Sequence, residues 1–252
     1  MINIVLSGCN GKMGRVITRL AAEDEECRIV AGFDINDYLP NTYPVYINPA
    51  DCKEEADVLI DFSHPSALEG VLAYCKKNSL PAVICTTGLL AEQRAELERT
   101  AEEIPVFFSA NMSLGINLLI ALAKKAAKLL ESGFDIEIVE RHHNQKIDAP
   151  SGTALAIADG ISEVLSENSE YVYDRHNVRR KRRKNEIGIH AVRGGTIVGD
   201  HEIIFAGNDE VIELKHSAAS KEVFAVGAVK AAKFMADKPA GMYSMNDLVS
   251  EI

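Results

Sequence analysis

The densest chemistry in this 252-residue chain lies between Glu137 and Ala154, in the run EIVERHHNQKIDAPSGTA. Two adjacent histidines, His142 and His143, are followed by Lys146 and then by the turn Pro150-Ser151-Gly152-Thr153. Histidine exchanges protons near neutral pH without help from its surroundings, and a lysine brings a compact positive charge that can also donate a proton. Ser151 has the hydroxyl of a helix N-cap, and the N–H groups of Gly152 and Thr153 at the positive end of the helix it opens can bind a carboxylate. Lys146 adds its charge to that cradle, and Asp148 is read as orienting the loop. Proton-transfer groups beside an anion cradle suit a site that acts on a small carboxylated substrate. Glu140-Arg141-His142-His143 closes a strand, so successive side chains begin on opposite faces. Both histidines serve one cleft only if the chain bends, as Asn144 and Gln145 permit.

A second chemical centre stands near the start, at Gly8-Cys9-Asn10-Gly11-Lys12-Met13-Gly14. Glycines between a strand and a helix allow a tight turn and let backbone N–H groups approach a pyrophosphate at the helix N-terminus. Counted from Gly8, Asn10 takes the place of the second glycine in the commoner G-x-G-x-x-G pattern. Asp34 ends the next strand, where a carboxylate can accept hydrogen bonds from both ribose hydroxyls of an adenosine. The same charge repels the extra phosphate of NADPH, and Ile35 and Asn36 bring no positive charge. NADH is therefore favoured, with NADPH possible through Lys12. Two further turns, Cys85-Thr86-Thr87-Gly88 and Ser109-Ala110-Asn111-Met112-Ser113, follow later strands and are candidates for the nicotinamide end. Ser63-His64-Pro65 is a weaker candidate of the same kind.

The elements that must position these groups alternate through the first half. Short Val- and Ile-rich runs at 2–6, 28–33, 57–62, 81–86 and 105–109 are separated by amphipathic stretches at 15–23, 66–77 and 91–103. That order predicts an α/β fold, a Rossmann-type doubly wound parallel sheet covered by helices on both faces. A longer helix is expected from about Leu114 to Leu130, with Leu118, Leu119, Leu122, Ala126 and Leu129 at helical spacing. After Phe134 the pattern turns to alternation at 134–141, 186–193, 201–207 and 210–217, which predicts an α+β unit whose sheet packs one face and leaves the other available. Val223–Ala236 reads as a helix rich in small residues. The expected division is a dinucleotide-binding domain over 1–113, joined by 223–252 packing back on it, and a second domain over 114–222 that holds the substrate.

A formal net charge of -10 argues against general affinity for nucleic acid or anionic membrane. No apolar run is long enough to span a bilayer and no signal peptide is read before Ile2, so a cytoplasmic protein is expected. The five cysteines, Cys9, Cys27, Cys52, Cys75 and Cys85, lack zinc-ribbon spacing and are read as reduced thiols. His142, His143, His190, His201 and His216 raise the question of a metal, but their spacing matches no familiar zinc pattern. A nucleophilic Cys85 would leave the His-His-Lys constellation unexplained. The basic run Arg179 to Lys184 is read as solvated surface or a segment ordered by a partner subunit, rather than as a nucleic-acid patch. A dinucleotide sensor without catalysis is the reading from another class.

The run ERHHNQKIDAPSGTA (140–154) resembles the signature of the 4-hydroxy-tetrahydrodipicolinate reductase, or dihydrodipicolinate reductase, family of bacterial lysine biosynthesis. The resemblance extends to the Gly8–Gly14 loop, the C-T-T-G and S-A-N-M-S turns, HAVRGGTIVGDH (190–201) and the final helix, nearly the whole chain. It implies NAD(P)H-dependent reduction of a cyclic dicarboxylate with loss of water. It implies His142 as proton donor and acceptor, Lys146 as a second proton donor, and His143, Lys146, Ser151, Gly152 and Thr153 as substrate contacts. Gly8, Cys9, Asn10, Gly11, Lys12, Met13 and Asp34 match the dinucleotide site, with Cys85, Thr86, Thr87, Ala110, Asn111, Met112 and Ser113 near the nicotinamide. The family usually carries glycine where this chain has Cys85. It also implies a homotetramer assembled through the second domain's sheet. Because the cofactor loop lies about 130 residues upstream of the His-His-Lys segment, in the other expected domain, domain closure is expected to bring the two halves of the site together.

Overall fold

A computed structural model describes residues 1–251. The chain divides into two compact units, one formed by Met1–Leu114 together with the chain from Glu222 onward, the other by Gly115–Lys221.

In the first unit the chain runs β1 (Ile2–Ser7), α1 (Lys12–Ala22), β2 (Cys27–Phe33), β3 (Val45–Tyr46), β4 (Val58–Asp61), α2 (Leu68–Lys77), β5 (Ala82–Ile84), α3 (Ala91–Ala101) and β6 (Pro105–Phe108). Parallel strands need long crossovers, and the helices supply them while covering both faces. Alternate residues of each strand therefore enter different cores. Val58, Ile60, Leu6 and Phe107 pack with Ile17 and Ala21 of α1, whereas Leu59, Val5, Ile84 and Val106 pack with Leu68, Leu72 and Leu97 of α2 and α3. Two-sided burial is why these strands read as continuous apolar runs, and each large side chain so buried contributes roughly 1.5–3 kcal/mol.

The second unit contains α4 (Leu114–Leu130), β7 (Asp135–His142), α5 (Gly152–Ser162), β8 (Glu170–Val172), β9 (Glu186–Arg193), β10 (Gly199–Ala206) and β11 (Val211–Ala218). Its sheet has the order β11-β10-β7-β9-β8. One face carries Ile136, Ile138, Ile187, Ile189, Ile203 and Phe205 into a core shared with α4 and α5. The opposite face presents Glu137, Val139, Arg141, His190, Glu202, Glu213 and Lys215, linked in places by ion pairs such as Arg141–Glu202 at 2.8 Å.

The chain then forms α6 (Glu222–Met235), β12 (Gly241–Tyr243) and α7 (Met245–Ser250) within the first unit. α6 lies on α1 and on the sheet, where a Cβ on Gly227 would come within 1.7 Å of the Met112 carbonyl oxygen. The strand β12 adds to β6, giving a seven-stranded sheet of order β12-β6-β5-β4-β1-β2-β3. All its pairings are parallel. The order reverses between β1 and β4, the crevice at which open α/β sheets bind ligands beyond the strand ends.

The helix expected over Leu114–Leu130 forms; of the residues marking its spacing Leu119 is buried and Ala126 half-buried, whereas Leu118, Leu122 and Leu129 are exposed, and the buried stripe runs through Ile116, Leu119, Ala123 and Ala127. The basic run lies largely at the exposed surface, and its arginines pair with carboxylates of the same unit. Arg182 bonds Asp135 at 3.0 Å and Glu137 at 3.1 Å, Arg183 bonds Glu170 at 3.2 Å, and Arg180 bonds Glu186. Strand ends bearing Asp135, Glu137 and Glu186 present a row of carboxylates, and the arginines neutralise it. The Glu186 carboxyl, hydrogen-bonded first by Arg175, is pulled down to about 2. The elements β3, β8, β12 and α7 have two to six residues, too few to show a periodic pattern.

Candidate active site

The period-2 alternation of β7 builds the chemical end. Its first inward residues, Ile136 and Ile138, are core; its last two, Glu140 and His142, carry chemistry into the same face. Glu140 is fully buried. Its carboxylate faces Nδ1 of His142 at 2.7 Å, accepts two bonds of 2.7 Å from the Arg193 guanidinium, and accepts the Ser151 N–H at 3.0 Å. Burial alone would raise its pKa, but these donors outweigh burial and hold it below the usual range. Arg193 also donates to the Asp148 carbonyl at 2.6 Å, so the loop carrying Lys146 is tied to the same carboxylate.

His201 of β10 packs edge-on against His142, ring centroids 5.2 Å apart, with Nε2 3.2 Å from the Ser151 hydroxyl. Burial, reinforced by His142 nearby, pushes its pKa down to about 4, which keeps it neutral. Ser151 caps α5 by accepting the Ala154 N–H at 3.2 Å. Beside it Gly152 is exposed, a Cβ there would meet no atom within 4 Å, and its N–H acts on the Asp148 carboxylate. The loop bends just past the strand, where the Lys146 N–H closes a turn on the His143 carbonyl at 3.1 Å. His143 follows the last strand residue, half-buried, and Lys146 pairs with Asp148 at 2.8 Å. The structure thus joins His142 and Ser151 through Glu140, while His143, Lys146, Gly152 and Thr153 lie along the same connection.

At the other centre Gly8 has φ of +76°, and a Cβ on it would lie 2.5 Å from the Phe62 carbonyl oxygen; one on Gly14 would lie 2.2 Å from the Gly8 carbonyl oxygen. The close turn therefore needs both glycines, and Gly11 precedes α1 as an N-cap without a side-chain hydrogen bond, leaving backbone donors for a phosphate. The residues fit a dinucleotide pyrophosphate. Asp34 accepts the Asn10 N–H at 3.0 Å on one carboxylate oxygen, and the Asn10 side chain bonds Asn36 and Asn41. Asn10 thus binds the glycine loop to the segment after β2. Cys9 is wholly buried and its thiol is pushed up to about 11, by burial first and by Asp34 next. Only its backbone is offered to a ligand. Lys12 is exposed and Met13 packs against the core.

The turn after β5 divides its residues. Cys85 is buried, and burial, with Asp61 adding its charge, holds its thiol well above the ordinary range. Thr86 is buried and donates to Asp61 at 2.5 Å, while Thr87 is exposed. After β6, Ala110 is exposed, the Asn111 side chain accepts the Ser113 N–H at 2.8 Å, and Met112 and Ser113 are buried. Ser63 turns inward to Asp61 at 2.6 Å, and His64 bonds Ser66 at 2.9 Å. A thiol so shielded is a poor nucleophile. Among the described residues no group of three or more His, Cys, Asp or Glu side chains is placed to hold a metal ion, and no helix is long and apolar enough to cross a membrane.

Sequence reasoning missed Glu140, Arg193, His201 and Asp61. The first had a signal, since Glu140 stands two before His142 on a strand and must share its face. Arg193 and His201 come from strands far along the chain, and only the register brings them there, with His142 opposite Arg193 and Glu140 opposite His201.

Residues 2–112 match the family model described as dihydrodipicolinate reductase, N-terminus, and residues 115–249 match the one described as dihydrodipicolinate reductase, C-terminus. A 4-hydroxy-tetrahydrodipicolinate reductase of Caldanaerobacter subterraneus subsp. tengcongensis is 57% identical over 251 residues, covering 100% of this chain and 99% of the relative. One from Clostridium tetani is 51% identical, covering 99% and 98%. Among solved structures, dipicolinate-bound dihydrodipicolinate reductase from Paenisporosarcina sp. TG-14 is similar with a TM-score of 0.82 at 27% identity, over 97% of each chain. A myo-inositol dehydrogenase from Corynebacterium glutamicum, 14% identical with a TM-score of 0.61 over 99% of this chain and 93% of its own, shares the fold alone. Two matched halves and full-length relatives lead to one conclusion: this chain belongs to the dihydrodipicolinate reductase family.

Proposed function

We propose that this chain reduces 4-hydroxy-tetrahydrodipicolinate to tetrahydrodipicolinate with loss of water, the reductase step of lysine and diaminopimelate biosynthesis. The observation that carries the reading is the buried Glu140 carboxylate holding both the His142 ring and the Ser151 amide at the head of α5. A proton-transfer group and a carboxylate-binding turn are thereby fixed to each other.

When bound, the reduced nicotinamide supplies the hydride. The chain's own residues do the rest. Gly8, Cys9, Asn10, Gly11, Lys12 and Met13 would line the dinucleotide through backbone donors and Asp34 its ribose; Cys85, Thr86, Thr87, Ala110, Asn111, Met112 and Ser113 would border the nicotinamide. Lys146, Ser151, Gly152 and Thr153 would bind substrate carboxylate with His143 beside them. Hydride addition to a conjugated ring leaves negative charge there, which His142 and Lys146 would neutralise by proton donation. The carboxylate of Asp34 supports a preference for NADH, because it opposes a 2′-phosphate. The open face of the second unit's sheet, with its alternating charged and apolar rows, supports assembly into a homotetramer, and an acidic chain of biosynthetic family supports a cytoplasmic place.

A coupled assay with freshly generated substrate tests the reading. Consumption of NADH that depends on the dicarboxylate is expected, with kcat of His142→Ala falling by about 10²-fold or more while NADH affinity is retained. No substrate-dependent oxidation by the native protein would reject it.

A further inference from the structure

His142 has two ring nitrogens, and only one of them can exchange a proton with the substrate while the other is bonded to Glu140. The surroundings of the ring decide it. An ionised carboxylate only accepts hydrogen bonds, so the 2.7 Å contact between Glu140 and Nδ1 places a proton on that nitrogen. Glu140 is kept ionised and immobile: it is fully buried, gripped by Arg193 through both oxygens and bonded by the Ser151 amide. The other nitrogen faces the backbone of Gly199, the first residue of β10, where a Cβ would stand 3.0 Å from Nε2. Any larger residue at 199 would fill the space beside that atom. The charged and titratable groups facing the ring are Glu140 on its own strand, Arg193 from β9 and the neutral His201 from β10, with His216 of β11 next to His201 across the sheet.

We propose that Glu140, anchored by Arg193 and the Ser151 amide, is a positioning residue that holds the His142 proton on Nδ1, leaving Nε2 beside Gly199 as the atom that exchanges protons with the substrate. The proposal rests on the reductase reading for its chemical consequence but not for its geometry. In the proton-donating state both nitrogens carry hydrogen; Nε2 releases its proton to the reduced substrate, and the ring returns to the neutral form with Nδ1 still bonded to Glu140. A reversed tautomer would turn a proton, rather than a lone pair, towards the substrate side of the neutral ring and could not be recharged there. The same carboxylate fixes the amide of the helix cap, so the proton donor and the carboxylate cradle are positioned by one group.

Nitrogen-15 NMR of the native full-length protein, with the ring neutral, reads the tautomer directly. The pattern of a protonated Nδ1 and a bare Nε2 for His142 is expected, and a ring protonated on Nε2 overturns the proposal whether or not the protein reduces the expected substrate. In turnover, E140Q should lower kcat by about 10-fold or more with NADH affinity unchanged, and G199A should lower kcat while the Nδ1 tautomer persists. Unchanged kcat in both variants overturns it while leaving the reductase reading intact. Should E140Q fail to fold, the native spectrum and G199A still decide.

Discussion

The ammonium of Lys146 is bonded to the carboxylate of Asp148 at 2.8 Å, two residues along the same loop. Asp148 is held below its usual pKa first by this bond, and the Gly152 amide contributes further. The two donors proposed to receive a substrate carboxylate thus both act on a carboxylate of the chain itself. Substrate must displace it. Asp148→Asn should lower KM for the dicarboxylate by about 1.5- to 5-fold, matching the roughly 0.2–1 kcal/mol of a half-exposed ion pair. Steady-state kinetics check this, and a raised KM would mean that Asp148 serves chiefly to hold the loop.

Acid should weaken the fold through His201. Its pKa is depressed from 6.5 to about 4 by burial, so between those values the unfolded chain binds more protons than the folded one. Stability therefore rises with pH across that window and is lost as pH falls through it, by up to about 3 kcal/mol. Denaturant unfolding at several pH values should show that slope, and His201→Gln should flatten it.

Cys85 should tolerate replacement. Its thiol is buried and raised well above the ordinary range. Alkylation of the native protein should leave activity intact, and Cys85→Ala should keep kcat within about 2-fold, as a shielded thiol performs no nucleophilic step. Rapid inactivation traced by mass spectrometry to Cys85 would contradict this.

Asp34 should govern the choice between dinucleotides. Asp34→Ala removes the charge that opposes a 2′-phosphate and also the acceptor for the Asn10 amide. The ratio of kcat/KM for NADH to that for NADPH should fall by about 10-fold, the effect of roughly 1.4 kcal/mol, mostly through a weaker KM for NADH. Parallel titrations at fixed ionic strength measure it.

Much of this protein is determined locally and so is legible in its sequence. The apolar runs of β1, β4 and β5 are continuous because both sheet faces are covered, and β7 and β10 alternate because one face is not. Gly8, Gly14 and Ser151 answer backbone demands set by the turns and helix caps they occupy. The tertiary structure alone decided three things that no local pattern encodes. It turned Ile116, Leu119, Ala123 and Ala127 inward in α4 and left Leu118, Leu122 and Leu129 exposed. It turned the basic run onto Asp135, Glu137, Glu170 and Glu186. Above all it carried Arg193, Gly199 and His201 to the end of β7, because cross-strand register is set by the packing of a whole sheet, and a side chain's environment depends on neighbours distant along the chain, as His201 is fifty residues from Ser151.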